Sequence, residues 1–167
     1  MARALFITVE ELFRFTNLTA DIDSAKLVKS ILVAQDTKIY EYLGTRLFNK
    51  INDGIVNENL ASPYTTLLND YIKPMVIHWS MVEILPWSAY SITNKGVFKP
   101  TGENATSVEK NEFDFLIEKQ ASIAQAYTQK FIDYMAFNYS QFPEYNLATD
   151  EEKLPETKNI NWSGWNI

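Results

Sequence analysis

From Phe113 to Met135, side chains of one kind return every three or four residues: Phe113, Leu116, Ile117, Gln120, Ile123, Ala124, Tyr127, Phe131, Tyr134 and Met135. That spacing is the helical period, held for roughly seven turns. It predicts a long helix running to about Tyr139 and stopping before Phe142-Pro143. Most of the stability of such a helix comes from covering its apolar stripe, so this element commits the chain to a helical bundle.

The rest of the chain reads the same way. Thr8-Val9-Glu10-Glu11 is a capping box, opening a short helix through about Phe15. A second helix begins near Asp21 or Asp23, where an acid suits the helix dipole. Its face is Val28, Ile31, Leu32, Gln35, Ile39 and Tyr42, and Gly44 stands where a left-handed C-cap belongs. Thr45 to Ile51 reads as a short turn ending at Asn52-Asp53-Gly54, with Val56 to Ala61 as loop. Ser62-Pro63 then signals a helix start with proline at the first helical position. That helix carries Leu67, Leu68, Tyr71, Ile72, Val76, Trp79 and Val82, with a kink expected at Pro74 and Pro86 near its end. Met75 to Leu85 is apolar nearly all round, which predicts the buried centre. Ser91 to Pro100 breaks the pattern, with two short β-prone runs flanking the hairpin turn Asn94-Lys95-Gly96.

The expected fold is therefore mainly α: a compact helical bundle with one long C-terminal helix, a small β-hairpin or extended loop, and an extended C-terminal tail. Residues 1–145 form the helical domain, and 146–167 an acidic, Trp-containing tail or arm. A chain of 167 residues suffices for one domain with a real core. Without cysteines it has neither disulfides nor thiolate metal sites. The N-terminal stretch lacks the pattern of a secretory signal, and no window approaches the ~18 apolar residues of a membrane span. A soluble protein with no membrane contact is expected.

The net charge of −6 is uneven. From Ser140 onward five acids face two lysines, so the tail carries −3 of it. The cations are scattered singly, whereas tight nucleic-acid binding needs them clustered.

Catalytic signals are sparse. His78 is the only histidine, and a base or metal ligand needs partners; on an apolar helix it reads as a packing or hydrogen-bonding residue. Glu83, five residues on, does not fall beside it. The paired acids Glu10/Glu11 and Asp21/Asp23 are explained by capping, and Asp150-Glu151-Glu152 by a solvated tail. No glycine-rich phosphate cradle and no nucleophile elbow is present. The expectation is a non-enzyme with no cofactor and no metal.

Contact candidates are stronger. Trp162 and Trp165 in a polar tail are costly to leave in water, and Trp is enriched among interface anchors. The tail could fold back on its own domain or dock on a neighbour. An isolated hairpin is marginal unless something covers it. The interface candidates are Ile92, Asn94, Lys95, Gly96, Phe98, Trp162 and Trp165.

In chain order, DIDSAKLVKSILVAQDTKIYEYLG, YIKPMVIHWSMVEILPW, ITNKGV and a long helix ending near FPEY follow one another. This order resembles the head–tail connector (adaptor) proteins of tailed bacteriophages, most of all the ring proteins of the crAss-like phages. The likeness spans about Thr8 to Tyr145 and lies in patterns rather than in diagnostic side chains. It implies a homo-oligomeric ring of about twelve copies between the portal protein and the next tail or neck protein. DNA would pass through without sequence-specific binding, and an acidic wall would not grip phosphate. The implied location is the virion neck, after synthesis in the bacterial host cytoplasm. The alternative is a non-enzymatic helical regulatory or protein-binding module acting as monomer or dimer. A small-molecule enzyme using His78 and Glu83 is the least favoured reading.

Overall fold

The computed structural model describes residues 3–19, 22–88, 91–93, 96–98 and 110–146, the side chains of 91–93, 96–98, 110 and 146 excepted. The mainly helical architecture is as expected. Helix α1 (Val9–Phe15) opens on the capping box. The Thr8 hydroxyl accepts from the Glu11 N–H at 3.1 Å, and Glu11 accepts from the Thr8 N–H at 2.8 Å. The second Glu11 oxygen takes Lys73 Nζ at 2.7 Å, tying this cap to a later helix.

Helix α2 (Ser24–Ala34) starts at Asp23, whose carboxylate accepts from the Ala25 N–H at 2.9 Å. It continues through a π-helical turn, Gln35–Ile39, into α3 (Tyr40–Val56). A π turn carries one residue more than an α turn, so it rotates every later side chain about the axis. The buried line shifts accordingly from Leu27, Ile31 and Ala34 to Ile39, Leu43, Leu47 and Ile51. The same turn presents Gln35 to the N-terminal segment. Its Oε1 accepts from the Phe6 N–H at 2.9 Å and its Nε2 donates to the Ala4 carbonyl at 3.1 Å. Asn52 Oδ1 accepts from the Ala4 N–H at 2.9 Å. Two buried amides thus satisfy an extended strand that no sheet receives.

Two expectations need correction in α3. Gly44 does take a positive φ, but at φ 71° and ψ 164° it is a kink within the helix and not a left-handed cap. The Tyr40 and Thr45 hydroxyls bridge the kink at 2.6 Å. Nor does the chain turn at Gly54; the helix continues to Val56. It ends in a Schellman motif, with Asn59 N–H bonded to the Gly54 carbonyl, Glu58 N–H to that of Ile55, and Glu58 at φ 53°.

Ser62–Pro63 is a cis peptide bond, and helix α4 (Tyr64–Thr66) begins one residue after the proline rather than at it. A second π turn, Leu67–Ile72, leads into α5 (Lys73–Ser88). Pro74 lacks an N–H to donate, and the wider turn stands just before it, where the expected disturbance of the ladder falls. Pro86 lies within the last turns of α5.

Helix α5 is the centre of the molecule, as the Met75–Leu85 run implies, with Met75, Val76, Ile77, Trp79, Ser80, Met81 and Ile84 buried. It packs against α2 and against the long helix α6 (Lys110–Asn138). Tyr71 stacks on Tyr134 at 4.0 Å, and Trp79 Nε1 donates to Thr128 Oγ1 at 3.0 Å, so α5 and α6 run antiparallel. Between them β1 (Ser91–Thr93) and β2 (Gly96–Phe98) pair antiparallel, with Ile92 opposite Val97.

After α6 comes a 3₁₀ turn, Tyr139–Gln141, and then α7 (Pro143–Asn146). Phe142 is fully buried and Tyr145 nearly so. Tyr64 meets the Phe142 ring edge-on at 5.4 Å and donates to Glu144 Oε2 at 2.5 Å. Burial, reinforced by this carboxylate, pushes the Tyr64 hydroxyl up to about 12. Every buried side-chain nitrogen and oxygen among the described residues has a hydrogen-bond partner.

Candidate docking surfaces

His78 lies on α5 facing α6. Its ring stacks on Tyr127 at 4.7 Å and 11°, and Gln120 Nε2 lies 3.0 Å from Nδ1. An amide N–H can only donate, so Nδ1 accepts and the remaining proton sits on Nε2. Burial holds the imidazole below its usual pKa, which favours the neutral ring. Glu83 is partly exposed and makes no bond to His78. The pair offers a stacked, hydrogen-bonded spacer between two helices and no acid–base couple. Among the described residues no group of three or more His, Asp or Glu side chains could hold a metal ion. Nor, among them, is any helix long and apolar enough to cross a membrane.

The unusual surface lies at the N-terminal end of α6. Continuing the antiparallel pairing of Tyr71 with Tyr134 and Trp79 with Thr128 places Ser88, the last residue of α5, near residue 118. Roughly eight residues of α6, about 12 Å of helix, therefore extend past the end of α5. The burial pattern follows this geometry. Ala124, Phe131 and Met135 are buried, whereas Leu116 is 47% exposed and Phe115 63% exposed. Asn111, Glu112, Phe115 and Leu116 line a shallow hollow of about 490 Å³ there. Trp87, at the same end of the bundle on α5, is 58% exposed. The stripe that is uniform in sequence is thus covered over its C-terminal part and open at Leu116.

A second apolar patch occupies the opposite end of α6, where Phe137 is 87% exposed and Tyr139 also stands open. Its setting is firm, because Phe142, Tyr145 and the Tyr64–Glu144 bond lock the chain just behind it. Exposed apolar surface at two separate places is an established mark of protein contact surfaces.

Of the interface candidates read from sequence, Ile92, Gly96 and Phe98 lie on the paired strands, though only their backbone is described. Asn94, Lys95, Trp162 and Trp165 lie outside the described residues. Phe115, Leu116, Trp87 and Phe137 went unremarked as surface residues. The first two were legible only as stripe members or neighbours, since periodicity does not say how much of a stripe its own chain covers.

No curated protein and no solved structure matches the chain. A model described as a family of unknown function (DUF6712) matches residues 39–152, from the end of the first π turn through α3, α5, α6 and α7. That match takes in well over half of the sequence, including both helices that build the open end, and the chain belongs to the DUF6712 family.

Proposed function

We propose that the chain is a structural, non-enzymatic subunit of a phage head–tail connector ring, joining the portal to the tail and extending the DNA channel. The observation that carries the structural role is the overhang of α6, where an apolar stripe continues beyond the bundle with Phe115 and Leu116 in solvent. Leaving large apolar side chains exposed costs about 25 cal/mol per Å² relative to covering them. A second chain removes that cost.

A ring makes particular use of two unlike patches. Its subunits meet head to tail, so each presents one surface forward and a different one backward. The Trp87–Phe115–Leu116 end and the Phe137–Tyr139 end are such a pair. The phage address rests on the order of elements: the acid-led helix ending at Gly44, the proline-bearing central helix, the hairpin and the long helix. The net charge of −6 suits a channel wall from which DNA must slide.

Mass spectrometry of purified virions, with imaging of the neck, tests this reading. The chain is expected in the particle as a ring beneath the portal, and its absence there overturns the proposal.

A further inference from the structure

We propose that the open end of α6, around Phe115 and Leu116, is the seat for the C-terminal segment 158–167 of an adjacent copy, anchored by Trp162 and Trp165. The inference deepens the ring reading by naming what covers this surface, and it rests on the chain working as a multimer.

Three observations favour this occupant. The first is chemical. The overhang carries Glu112, Asp114 and Glu118 against Lys110 and Lys119, an acidic rim round an apolar hollow. The upstream part of the tail, with Asp150, Glu151, Glu152 and Glu156, is repelled by such a rim. Residues 158–167 contain two tryptophans, two isoleucines and a single charged side chain, Lys158, of complementary sign.

The second is reach. The tail leaves from Asn146, next to the buried Tyr145. Residues 147–157, fully extended, cover about 36–40 Å. A globular domain of this size is about 38 Å across. The spacer therefore matches the step from one copy to the next, and its run of like charge favours an extended form.

The third is geometric. Tyr145 lies 6.5 Å, ring to ring, from Phe131. Phe131 is about 24 Å along α6 from Phe115. The segment thus departs from one part of the helix while its proposed seat lies at the other end. A forward arm and a backward seat on one chain are the two unlike surfaces that a head-to-tail ring requires.

The chain has no cysteine, so single cysteines report contacts without background. Leu116→Cys in one full-length chain and Ser163→Cys in another, mixed and oxidised both free and on a portal, are expected to form a mixed disulfide. Its yield should exceed that of a Leu116→Cys and Glu151→Cys mixture by about tenfold, through effective concentration at a seated arm. Adding Trp162→Ala and Trp165→Ala to the Ser163→Cys chain should return the yield to that of the control. A yield no greater than the control in both settings overturns the proposal. So does a Leu116→Cys/Ser163→Cys double variant that closes only within its own chain. If the chain nevertheless occupies the virion neck, the arm's seat is refuted while the connector role stands. A mixed disulfide from a chain missing from virions supports the seat and refutes the connector role.

Discussion

Gly44 and Glu58 both hold positive φ, at 71° and 53°, yet the physics asks different things of them. At Gly44 ψ is 164°, a combination closed to residues with a Cβ, and both halves of α3 depend on it. Gly44→Ala is expected to cost about 1–3 kcal/mol, read as a fall in the urea midpoint at unchanged slope. Glu58 occupies the left-handed position of the Schellman motif with an exposed side chain. Glu58→Gly should therefore stabilise, by about 0.5–1 kcal/mol in the same titration. His78 supplies a pH signature. Burial lowers its pKa in the folded chain, so between that value and the unfolded value of 6.5 the unfolded state binds more protons. The histidine thus costs no stability well above pH 6.5 and destabilises progressively as pH falls through this window. His78→Phe keeps a ring against Tyr127 and cannot titrate. Thermal melts of the two proteins should run parallel above pH 7 and diverge below 6.5, with wild type falling faster; parallel curves throughout would refute a neutral, buried His78.

Among the elements, the π turn at Gln35–Ile39 shows where periodicity stops being informative. Ile31, Gln35 and Ile39 do lie on one buried line, as the spacing implied, but Val28, Leu32 and Tyr42 are only partly covered. One inserted residue rotated the face, and a pattern matched to a single period cannot register that change. The buried Gln35 was visible as a member of the face; its clamp on Ala4 and Phe6, more than 25 residues away in sequence, was not. Gln35→Ala leaves the Phe6 N–H and the Ala4 carbonyl unpaired in a dry site, at a cost of about 2–4 kcal/mol. Hydrogen exchange at the Phe6 amide should rise by orders of magnitude in this variant, while amides of α5 slow or quicken only with global stability. The central helix was the most legible element, because a run apolar on every side fits only a position surrounded by other helices. The end of α3 was the least legible. Gly54 looked like a stop but lies in a helical turn, where the Leu60 side chain folds over it too closely for a Cβ.

At the scale of the whole molecule, covered and open surface divide at a definite place. Phe142, Tyr145 and the Tyr64–Glu144 hydrogen bond close the bundle within the residues up to Asn146. The domain core therefore owes nothing visible to residues 147–167, and the tail's tryptophans have work only if they meet another surface. A chain ending at Asn146 is expected to melt within about 2 °C of the full-length protein, since a domain of this size loses 2–4 °C per kcal/mol. The same chain should fail to assemble on a portal, or do so with far lower occupancy in negative-stain images. The opposite pairing, a fall of many degrees with assembly retained, would mean that the tail packs on its own domain and that the alternative, a self-contained binding module, describes the chain better. Truncation one step earlier provides the contrast. Ending the chain at Gln141 removes Phe142 and Tyr145 from the core, and the loss of a fully buried phenylalanine alone costs about 3–5 kcal/mol. That variant should be visibly destabilised as well as unable to assemble, which separates the part of the C-terminus that holds the fold from the part that reaches out of it.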